Sequence, residues 1–293
     1  MNAIETSKLT KYYGRARGIV DLDLTVEEGG FFGFIGPNGA GKSTTIRTLL
    51  GLIRPTSGEA RVLGMDIQKD RQAILSQVGY LPSEAAFYPG MTVREVLKLS
   101  ASLRKVDCGS EAERLCQRLK LDPSRKVEAL SFGNRKKVGI VCALQHSPRL
   151  LVLDEPTSGL DPLMQREFFS ILQERNQEGT TVFLSSHILS EIQRSCTRAA
   201  IIREGRIIAC DGVDALAQTN ARRVTLRGHA DLASLAGIRD RQETADAVSF
   251  LYSGDMGALL QVLSQGRIRD ISIAEPDLEE VFLHYYEDGG KLS

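Results

Sequence analysis

The stretch FFGFIGPNGAGKSTT, residues 31–45, decides the fold of this 293-residue chain. Its first part, FFGFI, is an apolar run typical of a buried strand, and helical periodicity follows over residues 44–52. Between the two, GPNGAGKS fits GxxxxGK[ST], a loop whose backbone N–H groups and following helix N-terminus bind phosphate. Lys42 is expected to reach the β- and γ-phosphates of a nucleotide, and the Ser43 hydroxyl to bind Mg²⁺. The residues predicted to line the phosphate site are Gly36, Pro37, Asn38, Gly39, Ala40, Gly41, Lys42, Ser43 and Thr44.

A second apolar run, residues 150–153, ends in an acidic pair within RLLVLDEPTSGLD (149–161). Open parallel sheets bind ligands at the carboxyl ends of their strands. Asp154 is therefore predicted to hold Mg²⁺ through water at that edge, and Glu155 to polarise the water that attacks the γ-phosphate. The alternative is that the two acids simply begin a solvated loop.

His187 follows a third apolar run, residues 181–184, in TVFLSSHIL. It is expected to emerge at the same sheet edge as Asp154, close to the γ-phosphate or its attacking water. A purely structural histidine is the alternative. Lys42, Glu155 and His187 form the predicted catalytic set.

These three elements, in this order, resemble the nucleotide-binding subunit of ATP-binding-cassette (ABC) transporters over about residues 2–215. LSFGN (130–134) resembles the family's signature, and SGLD (158–161) resembles its D-loop. A guanine-specifying NKxD motif is absent from the sequence. The resemblance implies an α/β P-loop NTPase cassette, with a mostly parallel sheet, helices, and antiparallel β and helical subdomains. It also implies ATP hydrolysis, with ATP and Mg²⁺ as cofactors.

The family pattern further implies a head-to-tail dimer, in which each ATP lies between the phosphate loop of one subunit and the signature of the other. Ser131 and Gly133 would then contact the partner's γ-phosphate at the start of a helix from Asn134. Asp161 is the D-loop acid, and Tyr13 stands where the family stacks an aromatic ring on adenine. Since one chain holds only half of each site, a homodimer or a heterodimer with a related ATPase is expected.

Two features depart from the family pattern. In the signature, Phe132 replaces a glycine and Asn134 a glutamine, while the residues expected to touch phosphate are kept. The glutamine that normally follows GYLP is missing, and Ser83 stands there with Glu84 next to it. We expect Glu84, or a water held by Ser83, to substitute for it at Mg²⁺, with residues 85–92 contacting a permease. The alternative is a solvated Glu84.

Beyond residue 220 the pattern changes, which predicts an ABC ATPase domain over residues 1–220 and a small α+β domain over 221–293. The second part reads as βαββαβ followed by one more helix, and βαββαβ is the order of a ferredoxin-like domain. Strands are predicted at 224–227, 238–244, 247–253 and 267–273, and helices at 231–235, 255–264 and 277–286.

The final segment, EPDLEEVFLHYY (275–286), resembles the end of ABC ATPases that serve drug- and antibiotic-resistance exporters. The alternative is that this segment has only a structural role, as a helix whose apolar face closes the core of the small domain.

Composition limits the partners of the chain. Lys+Arg and Asp+Glu number 37 each, and this zero balance argues against a nucleic-acid-coating protein. We accordingly read the basic run at residues 135–137 as a solvated helix face, and expect no nucleic acid partner. No run of 18 apolar residues and no signal peptide is seen, and the five scattered cysteines are expected to be free thiols.

Taken together, the residues and the resemblance predict a cytoplasmic ATPase subunit of an exporter. It would lie on the inner face of the cell membrane through a separate transmembrane permease. One alternative is a soluble ABC-type ATPase that acts on the ribosome or DNA. Another is a nucleotide-binding regulator without turnover, in which Glu155 is idle.

Overall fold

A computed structural model describes residues 1–217, 222–232, 235–244 and 246–274 of the chain. The chain divides into two compact units, Met1–Val213 and a second that begins at Asp214. The predicted boundary at 220/221 lies outside the described residues and stays a prediction. No helix among the described residues is long and apolar enough to span a bilayer.

The first unit contains ten strands and seven α-helices in its described residues, besides a short 3-10 helix at Val127–Ala129. The strands are β1 (Asn2–Tyr13), β2 (Ala16–Glu27), β3 (Phe31–Ile35), β4 (Ser57–Val62), β5 (Met65–Asp66), β6 (Val78–Leu81), β7 (Leu150–Asp154), β8 (Thr181–Ser186), β9 (Arg198–Arg203) and β10 (Arg206–Gly212). The helices are α1 (Lys42–Leu49), α2 (Arg71–Gln77), α3 (Val93–Arg104), α4 (Gly109–Arg118), α5 (Phe132–Leu144), α6 (Pro162–Gln177) and α7 (Leu189–Ser195).

The main sheet has six strands in the order β10-β9-β3-β8-β7-β6. Its strands β9, β3, β8, β7 and β6 pair in parallel. The stretch AIIREGRIIA (200–209), two apolar runs around a Glu-Gly turn, predicts a hairpin, and β10 indeed pairs with β9 in antiparallel orientation. Every residue of β3, β7 and β8 is buried, as continuous apolar strands covered on both faces should be. The predicted α/β cassette is confirmed.

A second, antiparallel sheet with the order β2-β1-β4-β5 packs against the first around α1. One hydrophobic core contains Leu22 of β2, Ile46 and Leu49 of α1, and Phe34 and Phe183 of the main sheet. Because α1 contacts strands of both sheets, the helix that follows the phosphate loop is held on two sides.

Helices α3 and α4 pack on α5, which in turn lies against β6. Helix α3 starts with a capping box in which the Thr92 N–H donates to Glu95 at 2.7 Å and Thr92 Oγ1 accepts from the Glu95 N–H at 3.3 Å. Helical periodicity predicts helices at residues 93–103, 134–144, 163–174 and 187–195, so α2 is missing from the sequence-based prediction, and so is α4. Its residue Arg118 donates to Glu167 at 2.6 Å and also to Glu174, which ties α4 to α6.

The second unit begins with α8 (Val213–Ala217), whose first residue still belongs to the first unit, and contains α9 (Met256–Ser264). Its strands are β11 (Arg222–His229), β12 (Ile238–Glu243), β13 (Ala247–Tyr252) and β14 (Arg267–Ala274). They form an antiparallel sheet in the order β12-β13-β11-β14, so β11 runs parallel to β12 with β13 between them, and β13 parallel to β14 with β11 between them. This is the split βαβ order of a ferredoxin-like domain.

The core of the second unit lies between α9 and this sheet, where Leu259 and Leu263 pack with Val224 and Phe250. The predicted helix at 231–235 is not seen in its described residues, and its residues 233 and 234 lie outside them. The predicted helix at 277–286 lies entirely outside the described residues.

All five cysteines are free thiols, as predicted. Burial raises the pKa of Cys142 to about 11, so this thiol is protonated at neutral pH and unreactive.

Candidate functional site

The glycine-rich loop between β3 and α1 is enclosed by neighbouring backbone. A Cβ on Gly36 would come within 2.5 Å of the Ile202 carbonyl oxygen, and one on Gly41 within 3.0 Å of the Gly18 carbonyl oxygen. Gly41 also has φ +113° as the N-cap of α1, a conformation that strongly favours glycine. The loop therefore needs glycine, and it leads directly into the N-terminus of α1, where free N–H groups favour an anion.

Lys42 is the first residue of α1 and is 5% exposed. Its Nζ donates to the carbonyl oxygens of Gly36 at 2.5 Å and Pro37 at 3.2 Å, and it lies 3.0 Å from Glu155 Oε1. The ammonium thus joins the loop to the end of β7. The predicted catalytic lysine and glutamate are neighbours in space.

Asp154 ends β7 and is fully buried. Its Oδ1 accepts a hydrogen bond from Ser185 Oγ at 2.8 Å, whereas no hydrogen bond to Oδ2 is found among the described residues. A buried carboxylate oxygen without a donor is costly, and such an oxygen is the hard ligand that Mg²⁺ prefers. The site therefore fits a magnesium ion. Asp154 and the Ser43 hydroxyl are the groups that would hold it.

Glu155 has φ +49°, the left-handed region that side chains rarely adopt. Its N–H donates to the Ser185 carbonyl oxygen at 3.2 Å, and its Oε2 lies 2.5 Å from His187 Nδ1. Strained backbone of this kind persists where the surrounding structure holds it, often at active sites. Glu155 thus lies between Lys42 and His187, an arrangement that the sequence pattern alone could not specify.

The signature begins a helix, but earlier than predicted. Helix α5 starts at Phe132 rather than at Asn134, and Ser131 caps it by accepting from the Asn134 N–H at 3.3 Å. The Phe132 ring is 45% exposed and lies against Gly159, where a Cβ would approach the ring to 2.3 Å. Asp161 in turn caps α6 by accepting from backbone N–H groups of that helix.

Two further predicted groups stand apart from the Lys42–Glu155–His187 cluster. The Tyr13 ring is 47% exposed, with the Lys11 ammonium 5.3 Å from its centroid. The side chains of Ser83 and Glu84 make no hydrogen bond among the described residues, and Glu84 is exposed. Their roles at Mg²⁺ stay predictions.

The reading of residues 135–137 as a solvated helix face is wrong. Arg135 is exposed, but Lys136 is 2% and Lys137 8% exposed. Three successive helical residues span too wide an arc to share one face. Burial lowers the pKa of Lys136 to about 8, although the charges of Asp154, Glu155 and Glu84 oppose the shift.

The phosphate loop, the buried Asp154 and the strained Glu155 lie at the carboxyl edge of a parallel sheet. Together they define a P-loop nucleotide-binding cassette. A family model described as ABC transporter matches residues 19–158. The bacitracin transport ATP-binding protein BcrA of Bacillus licheniformis is 35% identical over 302 residues, covering 96% of this chain and 96% of that protein.

Two other similarities agree. The Nod factor export ATP-binding protein I of Rhizobium etli is 32% identical over 293 residues, covering 97% of this chain and 93% of that protein. A solved structure of an ATP-binding subunit of an ABC transporter superposes with a TM-score of 0.69 at 31% identity, over 73% of this chain and 91% of that one. The chain belongs to the ABC transporter family as an ATP-binding subunit and is an ABC ATPase. The resemblance inferred from the sequence is confirmed.

Replacing Gly36 with alanine should lower ATP affinity at least about tenfold, because the new Cβ would displace the Ile202 carbonyl or the loop itself. Nucleotide titration by calorimetry measures this. Gly64→Ala is the control, since Gly64 has φ +76° but open space around it, so that its cost is backbone strain alone. Equal ATP affinity of Gly36→Ala and wild type would contradict the assignment of the loop.

Proposed function

We propose that this chain hydrolyses MgATP to energise a separate membrane permease of an exporter, on the cytoplasmic face of the membrane. The observation that carries the catalytic part is the contact of Glu155 with both Lys42 and His187, beside the buried Asp154. The export part rests on relatives whose names give bacitracin transport and Nod factor export. The ATPase domain is proposed to span residues 1–220, and the small domain residues 221–293.

The geometry supports the following roles. Ser43 and Asp154 would hold Mg²⁺, which shields the phosphate charge when bound. Lys42 can exchange its loop carbonyls for phosphate oxygens, because its ammonium already lies within the loop. Glu155 would orient and polarise the attacking water, and His187 would hold the Glu155 carboxylate in place.

A complete site would need a second subunit. Ser131 is exposed and Gly133 partly so, which leaves the N-terminal end of α5 accessible to a partner. We propose that they meet the γ-phosphate bound to a partner, in a homodimer or a heterodimer with a related ATPase. Asp161 would act from the D-loop of the same dimer, and Tyr13 would stack on adenine.

The substitutions Lys42→Ala and Glu155→Gln should fail in different ways. Lys42→Ala removes a charge-assisted contact to phosphate and should weaken ATP binding about tenfold or more. Glu155→Gln keeps the side-chain shape but loses the charge that polarises water, so it should bind ATP and accumulate as a dimer with little turnover. Size-exclusion chromatography with MgATP and a phosphate-release assay measure both effects.

Glu204→Gln, which removes an exposed carboxylate paired with Arg17, is the matched control and should behave like wild type. A Glu155→Gln protein that stays monomeric with ATP, or hydrolyses at the wild-type rate, would contradict the proposal.

The loop after β6 is proposed to supply a further contact to Mg²⁺ through Glu84 or through water held by Ser83. Combining Ser83→Ala with Glu84→Ala should then raise the Mg²⁺ concentration needed for half-maximal ATPase activity by a few fold, because one oxygen ligand is lost. The measurement is a Mg²⁺ titration of the two single variants and the double variant. If all three match wild type in requirement and rate, this loop has no part in metal binding.

Residues 85–92 are proposed as the contact to the permease, and Tyr88 is 70% exposed there. When this chain is co-expressed with a candidate permease, such as a membrane protein encoded by a neighbouring gene, Tyr88→Asp should reduce the co-purification of the two proteins several fold. Quantitative immunoblotting of the purified complex measures this. Leu103→Asp, at an equally exposed apolar residue outside the loop, is the control. No co-purification with the wild type would contradict the export proposal.

A further inference from the structure

Lys136 is a buried lysine, which its neighbours in the sequence do not predict. It lies in the first half of α5 and is 2% exposed, whereas the preceding Arg135 points into solvent. A buried ammonium is costly unless it finds acceptors, so its position must be stabilised by specific contacts.

Those contacts are backbone carbonyls of the loop that follows β6. Lys136 Nζ donates to the carbonyl oxygen of Pro82 at 3.1 Å and to that of Ser83 at 2.9 Å. Pro82 and Ser83 are the first residues after the end of β6, and they are 54 and 53 residues away from Lys136 in sequence. Charge-assisted bonds of this kind are about twice as strong as neutral ones, so α5 fixes the path of the chain as it leaves the sheet.

The charges around Lys136 come from the proposed nucleotide site. The carboxylates of Asp154, Glu155 and Glu84 attract its charge, yet none of them lies within ion-pair distance of it among the described residues. Lys136 is therefore held by carbonyls rather than by a salt bridge. The carboxylates of Asp154 and Glu155 thus act on its charge only from beyond ion-pair distance.

We propose that Lys136 is a positioning residue for ATP hydrolysis, whose ammonium ties the loop at residues 82–84 to the signature helix α5. The inference rests on the proposed function, and deepens it. The tether holds a loop whose Ser83 and Glu84 side chains make no hydrogen bond in the described part of the chain, and any shift of α5 carries the start of this loop with it. Because no hydrogen bond or ion pair among the described residues joins Lys136 to the phosphate loop, it acts on turnover rather than on ATP affinity.

A lysine that served only stability would give a different result. Its replacement by methionine, which is similar in length but uncharged, would lower the melting temperature and leave the remaining folded protein with normal turnover. A positioning role and a purely stabilising role are therefore distinguished by kcat, by KM and by the mobility of the loop.

The experiment compares Lys136→Met, Lys136→Arg and Lys137→Met in the full chain. Lys137 is the matched control, since it is 8% exposed on the same helix and makes no hydrogen bond to the loop among the described residues. Lys136→Met should lower kcat about tenfold with KM for MgATP within about twofold, the size expected for a lost charge-assisted contact. Lys136→Arg should restore most of the rate, and Lys137→Met should keep it.

Amide hydrogen exchange without nucleotide gives a second readout. In Lys136→Met, residues 83–90 should exchange several fold faster while β6 is unchanged, because only the exit of the strand loses its tether. If Lys136→Met does not fold, Lys136→Gln takes its place; its side chain is shorter and its amide is an uncharged donor, so kcat and loop exchange should change in the same direction but by less.

Unchanged kcat together with unchanged loop exchange overturns the proposal, as does a lower kcat that arginine does not restore. A rise in KM alone also overturns it. A wild-type chain that does not hydrolyse MgATP contradicts the proposed function instead, and the exchange of residues 83–90 then decides on the tether alone.

Discussion

The close approach of the phosphate-loop backbone to its neighbours is the constraint on which the first unit depends. The Ala40 carbonyl accepts from the Gly205 N–H at 2.8 Å, and the Gly36 N–H donates to the Ser186 carbonyl at 3.3 Å. The loop is thus hydrogen-bonded to the β9–β10 turn and to the end of β8. Since α1 is also packed between two sheets, the loop cannot adopt its path unless both sheets and the hairpin are in place.

The same enclosure makes it possible to hold costly groups at the sheet edge. Asp154 is buried with one oxygen lacking a donor, and Glu155 has a left-handed backbone. Each feature opposes folding by about 1–3 kcal/mol. Five parallel strands, three of them buried at every residue, offset these costs, and the polar groups then require little rearrangement to engage charge that develops in a reaction.

Much of this arrangement could be predicted because continuous apolar runs specify β3, β7 and β8, and because the glycine spacing specifies the loop. Helix α4 was missed although its buried residues Ala112, Leu115 and Cys116 have the i, i+3, i+4 spacing of a helix, because the charged, glycine-containing stretch at residues 103–110 indicates a loop. Lys136 was misread because its acceptors lie more than fifty residues away, where no local pattern can reveal them. The contact of Glu155 with His187 likewise depends on a backbone conformation that side-chain identity does not encode.

The contact between Phe132 and Gly159 has an evolutionary consequence. A side chain at position 159 would collide with the ring and would also have to adopt a φ of +79°. The two positions therefore form an epistatic pair, in which the outcome of a change at one depends on the residue at the other. During evolution, a larger residue at position 159 would be tolerated only after Phe132 had been replaced by a smaller residue. The two substitutions therefore have a required order.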